Sequence, residues 1–284
     1  MSDEFPSPIE CGIVILMNTI DVQGMEIAYR RQGTGPPVVL LHGFPLQHAL
    51  WRYVVDSLGD DLDVIALDLP GFGRSQTPHA GPWSMEMFAD LVAGLIEKLA
   101  IQQPVHLVGL SMGGYISFEF QRKFSRRLAS LALFHTRPSA DDEAVRRARQ
   151  QMAARVLREG QDVAVEAMLP KLFAQGSYQD RQDVVAEVRE MIKGTSCESI
   201  AAGQRAMADR RDATSWLPMI DCPVLVVAGD DDRITPASEM RSWSRQIPNA
   251  TFVEIASAGH TSPLENPTDV TFAMRRFLEP FLHA

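Results

Sequence analysis

The feature that most constrains this chain is a series of short apolar runs separated by helix-length segments. "PPVVLLHG" (36–43), "DVIALDLPG" (63–71), "PVHLVGL" (104–110), "LASLALF" (128–134) and "CPVLVVAGD" (222–230) are apolar at almost every position. A run that is apolar throughout, rather than at every second residue, fits a strand covered on both faces, as in a parallel sheet. Between the runs lie helical patterns. His48 to Leu58 is one. In 84–100, Phe88, Leu91, Val92, Leu95 and Leu99 share a face behind the N-cap candidate Ser84. The spacing predicts further helices over 112–124, 236–246 and from Thr268 to Phe281, and a last strand in "ATFVEIA" (250–256). Strands alternating with helices imply a mostly parallel, twisted α/β sheet flanked by helices.

The alternation breaks once. From Arg137 to 213 there is no strand pattern, only charged helical segments. Val145, Ala148, Met152 and Val156 share one face, and Val184, Val188 and Met191 another. The chain therefore reads as an α/β core over 17–136 and 214–284 with a helical insertion over 137–213. Residues 1–16 read as an N-terminal extension, because "NTIDVQGMEIAYRRQGTG" after Met17 already resembles a first hairpin.

A formal net charge of -9, with acidic residues spread along 284 positions, argues against nucleic acid and anionic membrane as partners. No apolar stretch is long enough to span a bilayer. "MSDEFPSPIE" is acidic, and "IVILM" is too short for the core of an export signal. The three cysteines, Cys11, Cys197 and Cys222, have no metal-site spacing and read as free thiols, which points to the cytoplasm. No cofactor or metal motif is present. Gly109, Gly113 and Gly114 do not match a dinucleotide fingerprint, and neither do Gly33 and Gly35. Composition leaves the oligomeric state open.

Chemistry concentrates at Ser111. "GLSMG" (109–113) fits G-x-S-x-G between a predicted strand and a predicted helix. Glycines two residues either side of the serine remove side chains that would strike the neighbouring strand or helix. A sharp turn there would raise the hydroxyl above the sheet. A serine nucleophile needs a base, and the base needs an orienting acid, in the chain order Ser, Asp or Glu, His. Among seven histidines, His260 in "ASAGHTSPLENP" lies in a glycine-led loop after the last strand and has the right position and order. His106 lies inside a strand, and His42 reads as the holder of the loop it opens. His135, at a strand end, and Ile234 are assigned to the substrate pocket. The acid falls among Asp230, Asp231 and Asp232 in "GDDDRITP". Two backbone N–H groups must receive the developing oxyanion. Met112 follows the nucleophile, and Phe44 lies in the loop after "VVLLHG".

Together "LLHGFP" (40–45), "DLPGFGRS" (68–75), "GLSMGG" (109–114), "GDDDRITP" and "AGHTSPLENP" resemble the α/β-hydrolase superfamily, serine branch. The likeness runs from about Met17 onward and is loose only in the insertion. It extends to small bacterial esterases, cofactor-free haloperoxidase/perhydrolases and 3-oxoadipate enol-lactonase-like enzymes. The family's G-x-x-D-x-x-x-P pattern, laid on Gly229, selects Asp232 as the acid. The family also implies that the insertion, after the sixth core strand, is a cap over the site. "DLPGFGRS" recurs across the superfamily and is read as a structural loop.

The expected function is hydrolysis of a small-molecule carboxylic ester or lactone through an acyl-enzyme on Ser111, with His260 as base and Asp232 as its orienting acid. A C–C bond hydrolase or perhydrolase would use the same triad. A non-catalytic ligand sensor would keep the pocket without needing the triad. Met152, Met168, Met191 and Met207 are the candidates for a soft apolar pocket.

Overall fold

The computed structural model describes residues 17–78 and 82–282. The 1–16 extension, Cys11, His79 and His283 lie outside the described residues.

Eight strands form a single sheet: β1 (Asn18–Val22), β2 (Met25–Gln32), β3 (Pro37–Leu41), β4 (Asp63–Leu67), β5 (Val105–Leu110), β6 (Leu128–Phe134), β7 (Val224–Gly229) and β8 (Ala250–Ile255). Their order is β1-β2-β4-β3-β5-β6-β7-β8. The β1/β2 and β2/β4 pairs are antiparallel and the remaining pairs are parallel. The apolar runs are the cause. Every residue of β3, β4, β5 and β7 is buried, because helices cover both faces. The edge strand β8 is mostly half-exposed.

The covering helices are α1 (Arg52–Leu58), α2 (Met85–Lys98) and α3 (Met112–Phe124), each close to its predicted bounds. Ser84 caps α2 as expected, its Oγ accepting from the Met87 N–H at 3.1 Å. Five helices then fill the interval between β6 and β7: α4 (Glu143–Glu159), α5 (Asp162–Leu172), α6 (Gln175–Asp180), α7 (Gln182–Lys193) and α8 (Cys197–Ala208). The chain closes with α9 (Ala237–Ser244), α10 (Ser262–Glu265) and α11 (Pro267–Leu278). Among the described residues no helix is long and apolar enough to cross a membrane.

Strand order places the site. The chain runs from β3 to β4 on one side and crosses to β5 on the other, so the carboxyl ends of β3 and β5 flank a switch point where open α/β sheets bind ligands. The register Leu41↔Gly109 sets the loop that starts at His42 beside Ser111. A Cβ on Gly43 would lie only 3.3 Å from the Ser111 Cβ. Register Leu110↔Phe134 brings the end of β6 alongside on the other flank.

Candidate active site

Ser111 turns the chain from β5 into α3 with φ 55 and ψ -110, a left-handed and strained conformation for a residue with a side chain. The turn is held from both sides. The Ser111 N–H donates to the Phe134 carbonyl at 2.9 Å, and the Ser111 carbonyl accepts from the Thr136 hydroxyl at 2.9 Å. A Cβ on Gly109 would stand 2.3 Å from the Gly113 carbonyl oxygen, and one on Gly113 would stand 2.5 Å from that of Leu41. Both glycines are thus sterically required, as the motif implied. The Ser111 side chain caps nothing on α3. Its hydroxyl is left on the wall of a cavity of about 250 Å³ that His260 and Ile234 also line.

Asp232 lies behind that cavity, 4% exposed. Its Oδ2 accepts from His260 Nδ1 at 2.8 Å, His135 Nδ1 at 2.9 Å and the Thr235 hydroxyl at 2.7 Å. Oδ1 accepts from the N–H groups of Ile234 at 2.8 Å and Thr235 at 3.0 Å. Burial pushes the Asp232 carboxyl up, but the two histidines outweigh it and hold the group well below the usual carboxylate range. An ionised Asp232 only accepts, so both rings carry their proton on Nδ1. That leaves His260 Nε2 without a hydrogen-bond partner among the described residues, on a ring that lines the cavity. No hydrogen bond joins Ser111 Oγ to His260 among those residues.

His135 is placed differently from expectation. It is fully buried and absent from the cavity wall. With φ 47 it turns its ring behind the acid, donating to Asp232 and accepting from the Ser262 hydroxyl at 2.6 Å. Burial lowers its pKa, so the ring is neutral and holds Asp232. His135, Asp232 and His260 form the one cluster of potential metal ligands found among the described residues. Their near atoms are already joined by hydrogen bonds of 2.8 and 2.9 Å, which is a proton-holding arrangement rather than an open ligand cage.

The other two aspartates have separate tasks. Asp230 accepts from the N–H groups of Ser257 and Ala258, shaping the loop that leads to His260. Asp231 accepts from the Gln175 N–H at the start of α6. Sequence reasoning missed Glu265. Its buried carboxylate gathers the N–H groups of Ala174, Gly259 and Thr261 and the Thr261 hydroxyl. The His260 and Thr261 amides both donate to the Leu172 carbonyl at the end of α5. The histidine loop is therefore clamped to the helical insertion. The available signal was a carboxylate in the otherwise uncharged stretch between His260 and Pro267.

Phe44 and Met112 flank Ser111, and neither backbone N–H has a protein acceptor among the described residues. His42 holds the Phe44 loop as expected. Its Nδ1–H donates to the Gly43 carbonyl at 2.9 Å, and its Nε2 accepts from the Leu69 N–H at 2.9 Å. Asp68, fully buried, accepts from the His48 N–H and ring and from the Arg74 N–H. A Cβ on Gly73 would collide with that carboxylate. "DLPGFGRS" is thus a brace for the Phe44 loop.

Burial lowers the His42 pKa to about 4, below the ordinary 6.5 of the unfolded chain. The neutral ring therefore stabilises the fold fully above pH 6.5, and this contribution is lost as the pH falls through 4. Protonation would also put a hydrogen on Nε2, against the Leu69 N–H. Denaturant unfolding between pH 7 and 4 should show stability falling less steeply in His42→Asn than in wild type. Equal slopes would contradict this account.

Of the four candidate methionines, Met152, Met168 and Met207 line the cavity. Met191 does not; it is 5% exposed and packed in the hydrophobic core.

A model described as the alpha/beta hydrolase fold matches residues 36–267. The chain is 40% identical to a thermophilic esterase from Thermogutta terrifontis solved with malate bound, with a TM-score of 0.90 over 95% of this chain and all of that one. It is 31% identical to the dihydrolipoyllysine-residue acetyltransferase component of the acetoin cleaving system of Cupriavidus necator, covering 91% of this chain and 68% of that protein. It is 30% identical to the (E)-2-((N-methylformamido)methylene)succinate hydrolase of Acinetobacter baylyi, covering 88% and 93%. Sheet order, the turn at Ser111 and these matches agree, and the chain belongs to the α/β-hydrolase fold family.

Proposed function

We propose that the chain hydrolyses small carboxylic esters or lactones by a Ser111–His260–Asp232 mechanism. The observation that carries this reading is the pairing of His260 Nδ1 with a buried, ionised Asp232, while His260 and Ser111 open on one cavity. In the proposed cycle Ser111 Oγ attacks the carbonyl carbon and its proton passes to His260 Nε2. The oxyanion rests on the Phe44 and Met112 amides, each such donor contributing about 3 kcal/mol to the transition state. The tetrahedral adduct collapses, the leaving alkoxide takes the proton from His260, and an acyl ester remains on Ser111. Water then attacks that ester as His260 removes its proton, and the acid departs with Ser111 regenerated. Asp232 keeps its charge throughout and stabilises the imidazolium.

The insertion is the proposed cap. α4, α5 and α8 supply Met152, Met168 and Met207 opposite the catalytic groups. Cys197 and Cys222 are free, which suits the reducing compartment proposed for it, the cytoplasm.

A cavity of about 250 Å³ is small for a ligand pocket. Hydrolysis of 4-nitrophenyl esters from acetate to decanoate, with lactones and thioesters alongside, should favour acetate and butyrate. Decanoate is expected to be slower by about tenfold or more, since a long chain cannot be enclosed. Absence of turnover above the Ser111→Ala background across the panel would contradict the proposal.

A further inference from the structure

The cavity wall carries charge of one sign. Arg149 from α4 and Lys171 from α5 line it, and no carboxylate does, in a chain whose net charge is -9. Each cation has uncommitted capacity. Arg149 Nε donates to Asp141, and Nη1 donates to the neutral Gln204 Oε1 at 3.2 Å. Asp141 is shared with Arg210 at 2.7 Å, so Arg149 holds only part of a counter-ion. Arg149 Nη2 donates to no protein atom among the described residues, and its side chain is 20% exposed. Lys171 is exposed and forms no ion pair among those residues.

Resting on the hydrolase reading above, we propose that the substrate carries a carboxylate at the end remote from the scissile carbonyl, held by Arg149 and Lys171. The remaining wall explains why the charge must be met there. Apart from Ser111, His260 and the neutral Tyr115 and Gln204, it is apolar, with Met152, Met168, Met207, Ile234 and Phe44 on it. A carboxylate entering such a site loses hydration, which cations on the wall replace. Arg149 offers part of its planar fork to a carboxylate, and Lys171 offers a mobile ammonium at the mouth. Packing alone accounts for Arg149 Nε and Nη1, which fasten α4 to Asp141 and α8. It does not account for Nη2 or for Lys171. The structure thus points to monoesters of short dicarboxylic acids, or carboxylated lactones, rather than to neutral fatty esters.

The test compares two esters of equal chain length, the anionic mono-4-nitrophenyl glutarate and its neutral methyl 4-nitrophenyl diester. Wild type should show a kcat/KM ratio, anionic over neutral, of about ten or more, as expected for a charge-assisted contact. Lys171→Glu should lower that ratio about tenfold, and Arg149→Met should lower it likewise. Because Arg149→Met also removes a helix contact, the exposed Lys171→Glu is the deciding variant. A wild-type ratio near one, or a ratio that Lys171→Glu leaves in place, overturns the carboxylate assignment while ester hydrolysis itself stands. Failure of wild type to cleave either ester overturns the hydrolase reading and this proposal with it.

Discussion

Replacing Asp232 by asparagine is expected to lower kcat for 4-nitrophenyl acetate by about 10³–10⁴-fold, as loss of the orienting acid does in comparable triads. The size follows from counting donors. Five groups point at the two carboxylate oxygens, three at Oδ2 and two at Oδ1. Each is an N–H or O–H. An amide placed there must turn its own NH2 on one of these sets. If it faces Ile234 and Thr235, the loop that carries the residue opens. If it faces His260, the ring must take the other tautomer, and Nε2 then bears a proton and cannot act as base. Asp231→Asn is the matched control. Among the described residues the Asp231 side chain serves only an exposed amide at Gln175 and a loose contact with Arg233, and an asparagine oxygen still accepts from that amide. Its kcat should stay within about threefold, as for surface substitutions. A greater loss in Asp231→Asn than in Asp232→Asn would show that the acid was assigned to the wrong aspartate.

Ser111→Ala should abolish turnover, with a loss on the order of 10⁶-fold in kcat, because among the described residues the cavity wall offers no second serine, threonine or cysteine. Tyr115 is the nearest alternative by type, but its ring is packed under the Arg210 guanidinium at 4.3 Å. The fold should survive the change. The Ser111 side chain caps no helix, and the strained backbone is held by main-chain bonds to Phe134 and by Thr136, none of which needs the hydroxyl. Thermal unfolding midpoints of wild type and Ser111→Ala should therefore agree within a few degrees while activity is lost. A large drop in midpoint would make the activity loss a folding effect instead.

The core was legible because burial on both faces leaves a plain mark. β3 through β7 read as runs apolar at almost every position, and their helices fell close to their predicted bounds. The helical insertion was legible only as a change of rhythm. α6 is six residues long and buries nothing, and the face of Val145, Ala148, Met152 and Val156 divides, the first three lining a cavity and Val156 entering the core. Periodicity cannot distinguish these two uses of an apolar stripe. The triple aspartate shows a different limit. All three side chains are satisfied by nearby N–H groups, so residue type and local spacing alone could not rank them. His135 was misplaced because position at a strand end does not reveal a φ of 47 or the direction in which the ring then leaves the sheet. Glu265 escaped notice because the contact that ties it to the insertion, the Ala174 N–H, comes from 91 residues away, while its bonds to Gly259 and Thr261 depend on a loop turn that spacing does not reveal. Arg149 and Lys171 belong to the charged helical segments, where nothing in the spacing singled them out, and the fold sets both on the cavity wall with Ser111.

The central claim is that Ser111 is an activated nucleophile, and covalent labelling tests it most directly. An active-site fluorophosphonate should modify wild type to one adduct per chain. Mass spectrometry of the digested protein should place that adduct on the peptide containing Ser111. Ser111→Ala should take up none, and Asp232→Asn should label far more slowly. An adduct on any other residue, or undiminished labelling of Ser111→Ala, would contradict the account.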